Sequence, residues 1–268
     1  DLVLQPDARA LWLKDIEVLA GNEMTGRKPG TEGHEKAKNY IVSRYQQIGL
    51  KTFRQGFEHT FPLNNKQVTG KNLIAWLPGQ THENQYIVFT AHYDHLGKRG
   101  RHIYNGADDN ASGVAGMLAV AEFFAANSAN FSLIFVATDV EEDGLYGAKA
   151  FLENPPVAKV SIMMNVNLDM ISNGGRRKSL YVAGSRAQPL LKQIIKTAKG
   201  IVNTKNLRLK AGHDNKMARF NDGGIRRINW QQASDHGPFI KQGIPYLYFG
   251  VDVHKHYHRG TDDFQHLH

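Results

Sequence analysis

The sequence predicts an α/β fold: one domain over residues 1–268, with three layers, α/β/α, around a mostly parallel mixed central sheet. Three observations predict it. Short apolar runs alternate along the chain with stretches of helical periodicity, the pattern of strands joined by crossover helices. The apolar runs are continuous, as in strands covered on both faces. With 268 residues the chain can bury a large core, and it contains no linker, repeat or low-complexity segment.

Taken in order, the first fifty residues read as helical. "TEGHEKAKNYIVSRYQQIGL" sets Ala37, Tyr40, Ile41, Tyr45 and Ile48 at helical spacing, with Gly49 as a stop. Residues 51–80 read as strands and turns, and "KNLIAWLPG" closes on a Pro-Gly breaker. "QYIVFTAHYD" is an apolar strand with a polar end. "ASGVAGMLAVAEFFAAN" is a helix with Val114, Met117, Leu118, Ala121 and Phe124 on one face. "SLIFVATDVEED" is a second strand ending in acids, and "GLYGAKAFLEN" a helix that stops before Pro155. "IMMNVNLDMIS" and "SLYVAG" are further strands, and "QPLLKQIIKTAKGIV" is another helix. The stretch 203–232, rich in Lys, Arg, Asn and Gly, reads as a long surface excursion. "HGPFIKQG" and "IPYLYFGV" then close the alternation.

Composition narrows the chemistry. There is no cysteine, which excludes disulfides and thiolate catalysis and leaves any metal to nitrogen and oxygen ligands. The formal charge is +8, from 33 Lys+Arg against 25 Asp+Glu. Basic charge attracts nucleic acid, anionic lipid and acidic peptides. No nucleic-acid motif accompanies it, so solubility is the preferred reading and no nucleic-acid partner is expected. No apolar run approaches the ~18 residues of a membrane span. The chain begins at Asp1 without a methionine, and a removed signal peptide would be invisible in it.

In an open parallel sheet, ligands bind beyond the carboxyl ends of the strands. One strand ends at His92 and Asp94, the next runs into Glu141 and Glu142, and the third ends at Asp169. The glycine-bounded loop "YNGADDNASGVAG" starts at the same edge and brings Asp108 and Asp109. Helix capping by Asp109 or Asn110 explains one acid of that loop, but not two acids beside three acidic strand ends. Acids gathered at one place repel unless protonated or bound to cations. A histidine among them favours a transition metal over calcium or magnesium. "HKHYHRGTDDF" adds His254, His256 and His258 late in the chain. Of the adjacent glutamates 141 and 142, one can bind metal while the other moves protons. His95 and His102 are assigned to the site mouth or the surface, and the terminal His266 and His268 to exposed positions. Met170 and Phe239 are candidates for an apolar pocket, with core packing preferred for Met170.

These stretches resemble the two-zinc aminopeptidases of peptidase family M28, relatives of glutamate carboxypeptidase, the transferrin receptor and glutaminyl cyclase. The matching motifs are "TAHYDHLG", "NGADDNASGVAG", "ATDVEEDGLYGAKAF", "VNLDMIS", "SDHGPF" and "YHRGTDDF", in family order. The resemblance covers nearly the whole chain and implies the zinc-dependent exopeptidase type of fold. By position it implies His92 and Asp169 as terminal ligands of one zinc, and Glu142 and His258 as those of the other. Asp109 is implied as the bridge, Glu141 as general base and acid, and Asp94 as the acid that orients His92. It further implies a cis peptide bond between Asp109 and Asn110. Two zinc ions per chain are expected, with cobalt or manganese as substitutes. The resemblance also implies peptide substrates with a free N-terminus and a periplasmic or secreted address. Two other functions are open: a glutaminyl cyclase with one zinc, and an inactive peptide-binding relative. The preferred N-terminal residue and the oligomeric state are not legible.

Overall fold

The computed structural model describes residues 7–63, 68–186, 189–203, 207–214, 218–221 and 225–267. Its helices are α1 (Ala8–Leu19), α2 (Glu32–Ile48), α3 (Gly113–Asn127), α4 (Tyr146–Glu153), α5 (Pro189–Val202) and α6 (His236–Lys241). The strands before α3 are β1 (Glu58–Pro62), β2 (Thr69–Leu77), β3 (Gly79–His92), β4 (Gly97–Arg99) and β5 (His102–Tyr104). Those after it are β6 (Ala129–Thr138), β7 (Ile162–Leu168), β8 (Ser179–Ala183), β9 (Arg208–Ala211), β10 (Ala218–Asn221), β11 (Ile225–Ile228) and β12 (Tyr246–Gly250).

Eight strands form one sheet in the order β1-β2-β6-β3-β7-β12-β8-β9. Its middle, β6-β3-β7-β12, is parallel, and the pairs β1·β2, β2·β6 and β12·β8 are antiparallel. Local chemistry explains the elements. The Thr31 side chain caps α2 by accepting from the His34 amide, and Gly49 closes the helix in a left-handed conformation. The C-terminal half of β3 and nearly all of β6 are buried, as their unbroken apolar runs require.

The helices lie on both faces. α1, α2 and α3 pack Ile16, Ile41, Val114 and Leu118 over Phe89, Ala91 and Phe135 of the sheet. α5 joins that face, since Met164 and Phe249 pack against both its cluster and the first. α4 and α6 cover the other face, with Phe151 and Phe239 against Val88, Ile134 and Val136. Phe239 is fully buried and is therefore core. No helix of the described residues is long and apolar enough to cross a membrane.

The stretch 203–232 differs from its expected surface role. β9 is the last strand of the main sheet, pairing with β8, and Trp230 is buried. The short strand is hard to read because arginine and lysine alternate with its single buried leucine, Leu209.

Candidate metal centre

The site is built where three neighbouring parallel strands end. β6, β3 and β7 are adjacent, so the segments that follow them converge. His92 is the last residue of β3, Asp169 follows β7, and Glu141 and Glu142 follow β6. The loop Ala107–Ser112, whose backbone is non-helical at Asp109 and Asn110 just before α3, brings Asp109 to the same place. The Asp109–Asn110 peptide bond is cis, as the resemblance implies.

Ligand atoms of His92, Glu141 and Asp169 lie within 4.8 Å of one another, as do those of His95, Asp109 and Glu142. His92 Nε2 is 3.3 Å from Asp109 Oδ1 and 3.5 Å from Asp169 Oδ1. His258 Nε2 is 3.1 Å from Asp109 Oδ2 and 3.3 Å from Glu142 Oε2. Asp109 thus turns one oxygen to each histidine. Glu141 Oε2 stands 4.0 Å from His92 Nε2. Asp169 Oδ1 and His95 Nε2 are buried without a hydrogen-bond partner among the described residues.

Around these groups, other polar residues fix the loops. His92 Nδ1 lies 3.1 Å from the Asp94 carbonyl oxygen but 3.8 Å from its carboxylate. The carbonyl of Asp94, where the acid had been expected, is the nearer partner of the ring. The Asp94 carboxylate instead accepts from the amides of Glu141 (3.0 Å) and Glu142 (3.4 Å). Asp108 accepts from the Ser172 amide and hydroxyl, the Asn173 amide and His254. Asn110 Oδ1 accepts from the amides of Gly113 and Met170, while its Nδ2 donates to the Leu168 carbonyl.

Several participants escaped the sequence reading. His95 is buried, not at the mouth, and its Nδ1 donates to Glu142 Oε1 at 2.6 Å. His102 is exposed as expected, and His266 is half-buried, stacked on His256; His268 lies outside the described residues. Asp262 accepts from the amides of Asp108 and Asp109, both at 3.0 Å. Fully buried Arg27 donates to the carbonyls of Leu19, Tyr93, Asn105 and Gly106, tying the segment after β3 to the Asp109 loop. Tyr257 stacks on His258, with ring centroids 3.9 Å apart. The strand-end pattern could not find these residues, because they come from loops; "HYDH" and "TDDF" were the available signals.

Electrostatics separate the adjacent glutamates. Burial pushes the Glu141 carboxyl well above the usual carboxylate range. Burial and the Asp109 charge act on Glu142 in the same direction, yet hydrogen bonds from His258 and His95 bring it to about 2. Burial disfavours a charged His258, but Asp109 and Glu142 outweigh it and raise the imidazole to about 10. Burial also disfavours a charged His92, and Glu141, Asp169 and Asp109 lift it well above its ordinary value.

The groups open into a cavity of about 390 Å³. Its lining also includes Met170, Ile228, Trp230, Tyr248, Val251 and Val253, with polar Asn229 and Gln232 among them. Met170 therefore does line a pocket.

Comparison with known proteins fits this architecture. The sequence profile described as Peptidase family M28 matches residues 72–268. The alkaline phosphatase isozyme conversion protein of Escherichia coli (strain K12) is 30% identical over 168 residues, 56% of this chain and 48% of that protein. The chain thus spans about half the length of that curated relative. Among solved structures, a zinc aminopeptidase from Bacillus subtilis superposes with a TM-score of 0.74 at 16% identity, covering 100% of this chain and 92% of that one. A glutaminyl cyclase from Porphyromonas gingivalis does so with a TM-score of 0.71 at 20% identity, covering 100% and 93%. These two likenesses establish the fold and not the reaction, since a peptidase and a cyclase share it. The profile carries the assignment further: the chain belongs to peptidase family M28.

Proposed function

We propose that the chain is an aminopeptidase with a dinuclear zinc site, removing single residues from the free N-termini of peptides. One observation carries the reading: the two oxygens of Asp109 face different histidines, His92 and His258, so one carboxylate lies between two donor sets. The donor set fits zinc, which takes imidazole nitrogen and carboxylate oxygen. Asp169 Oδ1, buried without a hydrogen bond among the described residues, has lone pairs that a cation would satisfy. In this reading His92 and Asp169 hold one ion, Glu142 and His258 hold the other, and Asp109 lies between them.

A bound zinc pair supplies Lewis acidity, polarising the scissile carbonyl and easing deprotonation of water. The chain's own residues do the rest. Glu141 takes a proton from the attacking water and returns it to the leaving amine. Its raised proton affinity suits both halves of that task. Asp94 holds the Glu141 and Glu142 amides, which aims the two side chains apart. Tyr257, on the cavity wall beside His258, donates a hydrogen bond to the substrate carbonyl oxygen. The buried carboxylates favour a cationic free amine at the substrate's first residue, which restricts cleavage to the N-terminus. The exported address that the resemblance implies belongs to the same proposal, and fractionation of producing cells tests it.

Mass spectrometry of peptides incubated with the zinc-loaded protein tests the reaction. The mixture holds free and acetylated N-termini and one peptide that begins with glutamine. Stepwise loss of residues from the free peptides alone is expected, with two zinc ions per chain by elemental analysis. Loss of ammonia from the glutamine peptide alone would replace this reading with a cyclase. No change in any peptide would leave a binding relative.

A further inference from the structure

We propose that His213, which lies outside the cavity, is a positioning residue that sets which N-terminal side chains the enzyme accepts. The inference rests on the aminopeptidase reading. Besides the carboxylates and histidines, the cavity is lined by apolar and aromatic residues of the 228–233 and 248–253 segments, with polar Asn229 and Gln232 among them. Trp230, buried to 5% exposure, carries the largest ring among these lining residues. An N-terminal side chain directed away from the carboxylates packs against it.

What backs Trp230 is an imidazole. The His213 ring lies parallel to the indole, with centroids 3.7 Å apart and planes 5° apart. Tyr181 stacks on His213 as well, at 4.5 Å and 24°. His213 Nε2 is 3.0 Å from Asp252 Oδ1, and the Tyr181 hydroxyl bonds to Asp252 too. Asp252 sits between Val251 and Val253, which both line the cavity. One ring therefore supports the wall twice: directly through Trp230, and through Asp252 on the 251–253 segment.

The backbone adds weight to this arrangement. His213 is left-handed, with φ +62°, a conformation that costs energy for a side-chain-bearing residue and persists where surroundings hold it. Its ring is buried in an aromatic row that continues from Trp230 to Tyr248 and His236. None of the contacts described for His213 involves a residue of the metal centre, so its effect falls on the fit of the side chain and not on the bond-breaking step. Large apolar and aromatic N-terminal residues need a flat, fixed indole, whereas alanine does not reach it. Without the imidazole, Trp230 loses stacking contact on one face and the wall loses its fixed position.

The test compares kcat and KM of the zinc-loaded full chain on phenylalanine and alanine p-nitroanilides. The proteins are wild type, His213→Asn and Asp252→Ala. Asparagine tolerates the left-handed backbone but removes the ring. Asp252→Ala keeps the ring and removes its anchor. Both variants are expected to lower the phenylalanine-to-alanine ratio of kcat/KM, by about tenfold for His213→Asn, the scale of a changed apolar pocket. The loss should lie in KM for phenylalanine, with alanine turnover within about twofold and zinc content unchanged. Should His213→Asn fail to fold, Asp252→Ala decides on the same ratio. An active wild type whose ratio is unmoved by the variants, or a parallel loss on both substrates, overturns the proposal alone. A wild type inactive on both substrates overturns the aminopeptidase reading and this proposal with it.

Discussion

Glu141 and Glu142 are neighbours in sequence, yet their carboxylates meet different partners. Glu142 is held by His95 and His258, while Glu141 faces His92 across 4.0 Å. Glu141→Gln keeps the shape and removes the proposed proton carrier. It is expected to lower kcat by about 100- to 10,000-fold with zinc content unchanged, as steady-state kinetics and elemental analysis would reveal. Tyr257→Phe removes one hydroxyl beside His258. A loss of kcat on the order of a hundredfold, with little change in KM, is the expectation for a donor that works in the transition state. Activity retained by Tyr257→Phe would leave the phenol as packing only. The residues that end strands were legible, because an apolar run that turns polar marks the sheet edge where a site is built. His95 was not. Nothing in "HYDHLG" says that the loop turns inward and buries its second imidazole.

At the scale of an element, the loop Ala107–Ser112 is shaped by its neighbours more than by its own helical tendency. Asn110 binds the Gly113 and Met170 amides and the Leu168 carbonyl, joining the start of α3 to the end of β7. Gly113 permits this contact. A Cβ there would lie 2.2 Å from Asn110 Oδ1 and 2.3 Å from the Leu168 oxygen. Gly113→Ala should therefore cost about 1–3 kcal/mol through displaced backbone. Calorimetry should show the fall in melting temperature, and equilibrium dialysis a weaker hold on zinc. A variant with wild-type values on both would show that the loop relaxes freely. Most elements were legible for a simple reason: buried strands are apolar runs and the helices between them have periodic faces. β9 was not, since an edge strand carrying Arg208 and Lys210 has the composition of a loop.

Across the whole molecule, the alternation of strands and helices indicated the fold class, but the order of the strands did not follow from it. β12, late in the chain, inserts between β7 and β8, and that pairing depends on contacts distant in sequence. Buried histidines shape the molecule's response to acid. Burial lowers His236 to about 4, and burial with the nearby Arg54 charge does the same to His59. A histidine with a depressed folded pKa binds its proton more readily in the unfolded chain. The stability it contributes is therefore full above about pH 6.5 and declines as the pH falls toward 4. Urea titrations of the metal-free protein should show the unfolding free energy of wild type falling relative to that of His59→Gln over that window. A constant difference between the two would mean that the His59 ring accepts its proton in the folded state. The two oxygens of Asp262 hold the amides of Asp108 and Asp109, across 154 and 153 residues of sequence. This has a temporal consequence. During synthesis the Asp109 loop is made 153 residues before the carboxylate that holds its amide, and His258 also comes late, so the cluster of candidate ligands assembles long after its first members have been joined.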